Sequence, residues 1–299
     1  MCYGLRLNQV LLVLTTVALL GACREQEVSR DEEGNLVLGG TEVEETLTRG
    51  VNPGTRPLVL DGFNGAIQLR GVAGQTATLQ LVKKARGRDD ENARALLNRI
   101  QIKESGDTQA YRYVMTSDEP SRTQVDVRGE VPAGTDLRIE LQNGSVDLAG
   151  ITGPISIQQQ NGSIRIEAAA GDVQAITQTG TVDVGFQVVP PDASVQLSAT
   201  SGNVTLAVPA NTDARIEAET KVGNIQVGQE LRFTNQSLQP MGAGNTFVAR
   251  MGGGNAAIRL RTQVGNIRIE QTGTTPPAAP AQAPAPPAQA ASGDSVQAR

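Results

Sequence analysis

The sequence predicts an all-β fold: a β-solenoid of short stacked strands, preceded by a β-rich leading region that contains one short helix. Three observations predict it. Gly144, Gly153, Gly162, Gly171 and Gly180 recur every nine residues. A short alternating strand follows each one, as in Ser145-Val146-Asp147-Leu148, Pro154-Ile155-Ser156-Ile157 and Ser163-Ile164-Arg165-Ile166. A longer phrase also returns: Val131-Pro132-Ala133-Gly134-Thr135-Asp136 reappears as Val208-Pro209-Ala210-Asn211-Thr212-Asp213. Self-similarity at a fixed period marks a repeat architecture, in which each unit buries too little alone and stacking supplies a continuous core.

Period-two alternation puts Val146 and Leu148 on one face of their strand and Ser145 and Asp147 on the other. The Gly ahead of each strand, preceded by Asn at Gly144 and Gly162 and by Ser at Gly202, accepts positive φ, so the chain can turn sharply there. Asn-Gly also favours hairpin turns. Strands of about four residues in constant phase fit better as flat coils, two strands and 18 residues to a coil, rising to about 20 further along. The phrase continues at Gly180-Thr181-Val182, Gly202-Asn203-Val204, Gly223-Asn224-Ile225 and Gly265-Asn266-Ile267. In an 18-residue coil, equivalent outward positions stack about 4.8 Å apart. Asp147, Arg165 and Asp183 then form one column of alternating sign, and Asn143 and Asn161 an amide ladder at the turns. Opposite charges on paired strands contribute roughly 0.2–1 kcal/mol each, which favours this register over a slip that sets Asp beside Asp.

The leading region, 56–130, alternates as strands at Leu58 to Leu60, Ala66 to Leu69 and Thr76 to Val82. Asp90 to Ile100 places Ala93, Leu96, Leu97 and Ile100 at helical spacing with acids at the start, a short helix suited to covering the open end of the stack. Tyr111 to Val114 and Thr123 to Val127 return as strands. The repetitive solenoid follows over 131–272. Residues 23–55 are polar, with acidic runs at Asp31 to Glu33 and Glu42 to Glu45, and read as a flexible tether with room for a strand near Asn35 to Leu38. The basic cluster Lys83, Lys84, Arg86 and Arg88 reads as a solvated strand end. Residues 273–299 are rich in Pro, Ala and Gln and read as an extended, disordered tail.

The first 22 residues have the form of an export signal. One positive charge, Arg6, precedes an apolar run from Val10 to Leu20, and Gly21, Ala22 and Cys23 follow. An apolar run of roughly 7–15 residues before small residues is a secretory signal, whereas crossing a membrane takes about 20. Leu20-Gly21-Ala22-Cys23 resembles the lipobox of bacterial lipoproteins. That resemblance implies cleavage before Cys23 and lipidation of its sulfur. Two or more acyl chains give stable anchoring, each buried methylene contributing about 0.8 kcal/mol. The membrane held by the anchor, and a location in the cell envelope, follow as expectations. Arg24 is not the aspartate that retains many lipoproteins at the inner membrane, which favours the outer membrane of a Gram-negative bacterium, facing periplasm or surface.

Composition narrows the chemistry. There is no His, and Cys2 leaves with the signal while Cys23 takes lipid. The commonest general base and nucleophile are therefore missing, as are imidazole and thiolate metal ligands; neither catalytic residues, a metal site nor a cofactor is expected. The formal charge of −5, about −6 without Arg6, gives no footprint for nucleic acid. With no Trp and only four Phe and three Tyr, stacking platforms are scarce. A calcium β-roll needs more turn glycines than one per unit. The glycine-rich segments 241–245 and 251–255 read as loops between coils, since a strand rather than a helix follows the second. Asp126, Glu130, Asp136, Glu140 and Asp147 remain as carboxylates for a glycosidase pair, a reading that a cluster in one groove would favour and scatter over several faces would oppose.

A strand with Asn64-Gly65, a helix-bearing segment, the Val131-Pro132-Ala133-Gly134 turn and serial Asn-Gly units resemble the bacterial putative-adhesin, or toastrack-like, β-solenoid domain over about residues 56–272. The resemblance implies a right-handed, single-stranded solenoid in the cell envelope, and carries no catalytic residues across. The expected function is a non-enzymatic, membrane-anchored module that displays a polar face, with Asp147, Arg165 and Asp183 upon it, to an envelope protein or glycan. The alternatives are a carbohydrate-active enzyme on the same scaffold and an accessory to envelope signalling that uses the Pro/Ala tail.

Overall fold

The computed structural model describes residues 28–30, 36–38, 40–107 and 109–272. The export signal, Cys23 and the tail from 273 lie outside them. The described chain runs β1 (Val28–Arg30), β2 (Leu36–Leu38), β3 (Thr41–Val51), β4 (Leu58–Val72), β5 (Ala77–Gly87), α1 (Asp90–Leu97), β6 (Gln101–Gly106), β7 (Tyr111–Thr116) and β8 (Thr123–Pro132). It continues through β9 (Leu137–Ala149), β10 (Ile155–Ala169), β11 (Val173–Thr179), β12 (Val182–Phe186), β13 (Ser194–Ser201), β14 (Val204–Val208), β15 (Ala214–Val222) and β16 (Ile225–Val227). The last four are β17 (Asn235–Met241), β18 (Gly244–Met251), β19 (Ala256–Val264) and β20 (Ile267–Gln271).

β1 and β2 pair antiparallel with each other, and β3 to β20 make an all-β solenoid of two sheets. Each coil lays one strand in the first sheet, turns at a glycine corner, and lays its second strand in the other sheet. The parallel register is that of stacked coils: Ile155 lies opposite Leu137 on one side and Val173 on the other, an offset of 18 residues each way. The next offset is 22, with Val173 opposite Val195. β4, β9 and β10 pass through both sheets and join them at the corners. The Asn-Gly pairs are therefore coil corners, not hairpin turns.

Two features depart from serial stacking. β4, expected to lie ahead of the solenoid, is itself a coil: Leu58 to Arg70 pair in parallel with Leu137 to Ala149 of β9. At the other end the order is exchanged. β19 inserts between β13 and β15, with Ile258 opposite both Val195 and Ile216, so the last coil in sequence is the penultimate in space. β18 then pairs antiparallel with β15, and β17 with β18, extending the first sheet.

The core lies between the sheets. Val146, Ile164, Val182, Val204 and Ile267 stack inward from the second sheet, and Ile139, Ile157, Ala175, Leu197 and Leu260 face them from the first, all essentially buried. Full burial of one such Val, Leu or Ile side chain contributes roughly 1.5–3 kcal/mol, and the column repeats it on every coil.

The corners have their own chemistry. Gly162 holds φ at 130°, and a Cβ there would lie 1.7 Å from the carbonyl oxygen of Gly144 on the coil below. Only a residue without a side chain lets the coils approach this closely. Inside the corner a buried polar side chain secures the turn. The Gln159 amide donates to the Gly144 carbonyl at 2.6 Å, and the Thr262 and Thr220 hydroxyls donate to the Gly202 and Gly265 carbonyls, each at 2.9 Å. At Gln159 the amide oxygen has no protein partner.

The leading region closes the opposite end. β7 and β8 flank the two halves of β4, and β5, β3 and β6 add antiparallel strands. Residues 41–51, expected within the tether, are thus a strand of the sheet. Its acids meet the basic cluster of β5, with Glu45 bonded to Lys83 at 3.2 Å and Glu42 to Arg86 at 3.3 Å. Those bases are cross-strand partners in a sheet rather than a solvated strand end. Lys84 reaches the buried Asp126 at 2.8 Å, and Asp126 also accepts the Ala66 amide at 2.9 Å. α1 begins where Asp89 accepts the Asn92 amide at 2.7 Å, with Asp90 and Glu91 in the first turn. It ends at Leu97, three residues short of the expected boundary, and seats Ala93, Leu96 and Leu97 against β3 and β5. Gly87 permits that close seat, since a Cβ there would lie 2.4 Å from the Ala93 amide nitrogen.

Candidate functional site: a charged trough on the second sheet

On the outer side of the second sheet the alternation that buries Val146 and Ile164 turns Asp147 and Arg165 outward. The register sets Asp147 opposite Arg165, and Arg165 opposite Asp183. The column extends to Gln68 on one side and to Thr205 and Arg268 on the other. All three residues anticipated for an interaction face therefore share one ladder. At the corner the amide ladder also forms and is longer than expected: Asn161 donates to Asn143 at 2.9 Å, and Asn143 to Asn64 at 2.8 Å.

The ion pairing differs from the simple column. The Arg165 guanidinium bonds Glu167, two residues along its own strand, at 2.9 Å, and both side chains are exposed. An exposed pair of this kind contributes little to stability, about 0–1 kcal/mol, but it fixes where the guanidinium points. Burial against its neighbours raises the Asp183 carboxyl above the ordinary value of 3.8; the Arg165 charge opposes this and the Glu167 charge adds to it.

Between β5 and β10 the outer face dips into a trough of about 940 Å³. Three guanidinium groups, Arg70, Arg128 and Arg165, and three carboxylates, Glu130, Asp147 and Glu167, line it, with Gln68, Thr78 and Gln80 between them. Asp183 continues the column beyond the trough. Arg70 lies opposite Glu130, and Arg128 opposite both Gln68 and Gln80. Sequence reasoning missed Arg70, Arg128 and Glu167. The outward parity of each was readable, but the contact of β4 with β8 joins residues 60 apart, as Ile67 opposite Val127 shows.

The five carboxylates singled out from sequence separate. Asp126 is buried beneath Lys84. Asp136, bonded to Arg138 at 3.0 Å, and Glu140 lie over the first sheet. Only Glu130 and Asp147 share the trough, where Glu167 joins them. Among the described residues no group of three or more His, Cys, Asp or Glu side chains is placed to hold a metal ion.

Two sheets of short strands stacked through glycine corners, with polar ladders outside and an aliphatic column within, define an all-β toastrack solenoid. The chain belongs to the family described as Toastrack DUF4097, whose model matches residues 92–270. Among curated proteins none matches the chain. Among solved structures, a "putative cell adhesion protein" from Clostridium sporogenes ATCC 15579 is similar at 12% identity and a TM-score of 0.42, over 77% of this chain and all of the other. A "putative adhesin" from Bacteroides fragilis NCTC 9343 is similar at 13% identity and a TM-score of 0.26, over 75% and 97% of the two chains. A "putative lipid binding protein" from Parabacteroides distasonis ATCC 8503 is similar at 9% identity and a TM-score of 0.21, over 76% and 96%.

Proposed function

We propose that the chain is a non-enzymatic, adhesin-like interaction module of the cell envelope, held to a membrane by lipid on Cys23, that binds an envelope polymer in the trough of its second sheet. The trough carries the reading. Its guanidinium and carboxylate groups lie on a hydrogen-bonded sheet whose backbone is already ordered, so binding there requires little reorganisation. Arginine recognises carboxylate or phosphate through paired N–H donors, and the neighbouring carboxylates accept from ammonium or hydroxyl groups. A ligand bearing both signs, or an acidic glycan rich in hydroxyls, fits that mixture.

The test is co-sedimentation of the chain from residue 23 onward with purified peptidoglycan sacculi and with lipopolysaccharide. Binding to one of them, weakened at least tenfold by Arg165→Glu, is the expected result; equal binding by both forms would contradict it. For the anchor, palmitate labelling of expressing cells is expected in the native chain and absent in Cys23→Ser.

One observation favours a second reading. Glu130, Asp147 and Glu167 share one groove, the arrangement a glycosidase on this scaffold would need. Against it, no aromatic side chain lines the trough and three arginines do. Release of reducing ends from the same polymers, abolished by Asp147→Asn, would establish the enzyme instead.

A further inference from the structure

We propose that the first sheet carries a second, separate surface that binds an extended, uncharged glycan lying along the solenoid axis. Gln158, Gln160 and Gln178 are exposed on adjacent strands β10 and β11, with Gln142 on β9 beside them. The register that places Gln159 opposite both Leu141 and Thr177 sets Gln142, Gln160 and Gln178 in one column across three coils. Gln174 and Gln196 stand opposite one another in a parallel column, with Ser156 next to Gln174.

The amide rows themselves carry no charge, and the charged side chains Asp61, Glu140, Asp136, Arg138 and Asp172 border them. Gln142, Gln158, Gln160 and Gln178 also have no side-chain hydrogen bond within the described residues, so their donors and acceptors are open. Each primary amide offers two donors and an acceptor oxygen, the complement of sugar hydroxyl and N-acetyl groups. The surface is concave. A hollow of about 330 Å³ holds these four side chains and adjoins one of about 610 Å³ in which Ser156, Gln174 and Gln196 stand beside Asp136, Arg138 and Asp172; Glu140 and Gln158 border both.

Two features select the occupant. Successive coils lie about 4.8 Å apart, close to the step of one ring in an extended pyranose chain, so each ring meets the next amide along the ladder. Asp61 and Glu140 border the smaller hollow with no basic side chain there, and Asp136, Glu140 and Asp172 outnumber Arg138 in the larger one, so the net negative lining repels an anionic polymer and not a neutral one. Without aromatic platforms each sugar contributes weakly, and affinity accumulates with the number of coils engaged.

The test is calorimetric titration of the chain from residue 23 onward with chitohexaose and cellohexaose, which separates N-acetylhexosamine from hexose chemistry. At least one hexamer is expected to bind, and at least tenfold more tightly than its dimer. The combined variant Gln158→Ala, Gln160→Ala and Gln178→Ala is expected to weaken that binding at least tenfold, about 1.4 kcal/mol. Arg165→Glu, on the opposite sheet, is expected to leave it unchanged, so failure here and failure at the charged trough are distinguishable. Single Gln178→Lys is expected to act in the same direction should the combined variant unfold. The proposal is overturned if neither hexamer binds, if the altered chains bind as the native one does, or if the native chain self-associates through this field, which would make a second copy its occupant.

Discussion

At Gly162 a single methyl group decides whether two coils can stack. Alanine there would face both the positive φ and a backbone oxygen at 1.7 Å, and backbone cannot move aside as a flexible side chain can. Gly162→Ala is expected to cost more than about 3 kcal/mol, read as a lowered denaturant midpoint. Gly134→Ala, with open space and no positive φ, is the matched control and is expected to change stability by less than about 0.5 kcal/mol. Asp183 gives the residue scale its pH dependence. Its folded carboxyl holds the proton more tightly than the unfolded one, so the stability it contributes is present below the ordinary 3.8 and lost as pH rises through the raised value. Asp183→Asn is expected to remove that loss and so stabilise the chain modestly at neutral pH. An unchanged pH profile of unfolding would show that Arg165 cancels the burial. Corner glycines and outward columns were legible in sequence because each follows from a period and a parity within one coil. The missing partner of the Gln159 oxygen was not, since it depends on how tightly a neighbouring coil closes over the side chain.

At the scale of elements, α1 and β3 show where local patterning suffices and where it fails. The helix was readable because Asp89, the acidic first turn and the spacing of Ala93, Leu96 and Leu97 all lie within a dozen residues. Its cap supports a direct prediction: Asp89→Ala is expected to cost about 1 kcal/mol in thermal or denaturant unfolding. Leu97→Ala, which opens a cavity against β5, is expected to cost about 2–5 kcal/mol. β3 was read as tether because its charges dominate and only Val43, Leu47 and Val51 are apolar at useful positions. Its order comes from β5, which pairs with it over its whole length, and from the core, against which Val43, Leu47 and Val51 pack. A strand that owes its order to a partner distant in sequence has no local signature. Its exposed ion pairs with β5 are weak and screened by salt, so amide exchange in this edge strand is expected to quicken in high salt before exchange in β9 or β10 does.

The whole molecule is a stack whose order the sequence only partly declares. Offsets of 18 residues between β9, β10 and β11 repeat a local phrase and were readable. The insertion of β19 between β13 and β15 was not, because Gly223-Asn224-Ile225 and Gly265-Asn266-Ile267 are near-identical phrases and fit either place. The trough belongs to this scale as well, since its arginines come from β4, β8 and β10, brought together by pairings between residues far apart in sequence. Binding without turnover at that trough is the central claim, and one measurement meets it most directly. Purified sacculi or lipopolysaccharide are incubated for hours with the chain from residue 23 onward, native or Arg165→Glu, then sedimented and analysed for both retained protein and soluble sugar. One polymer is expected to retain the native chain and to lose at least tenfold of that retention with Arg165→Glu, with no sugar released. Soluble fragments appearing with time, or retention indifferent to Arg165, would contradict it.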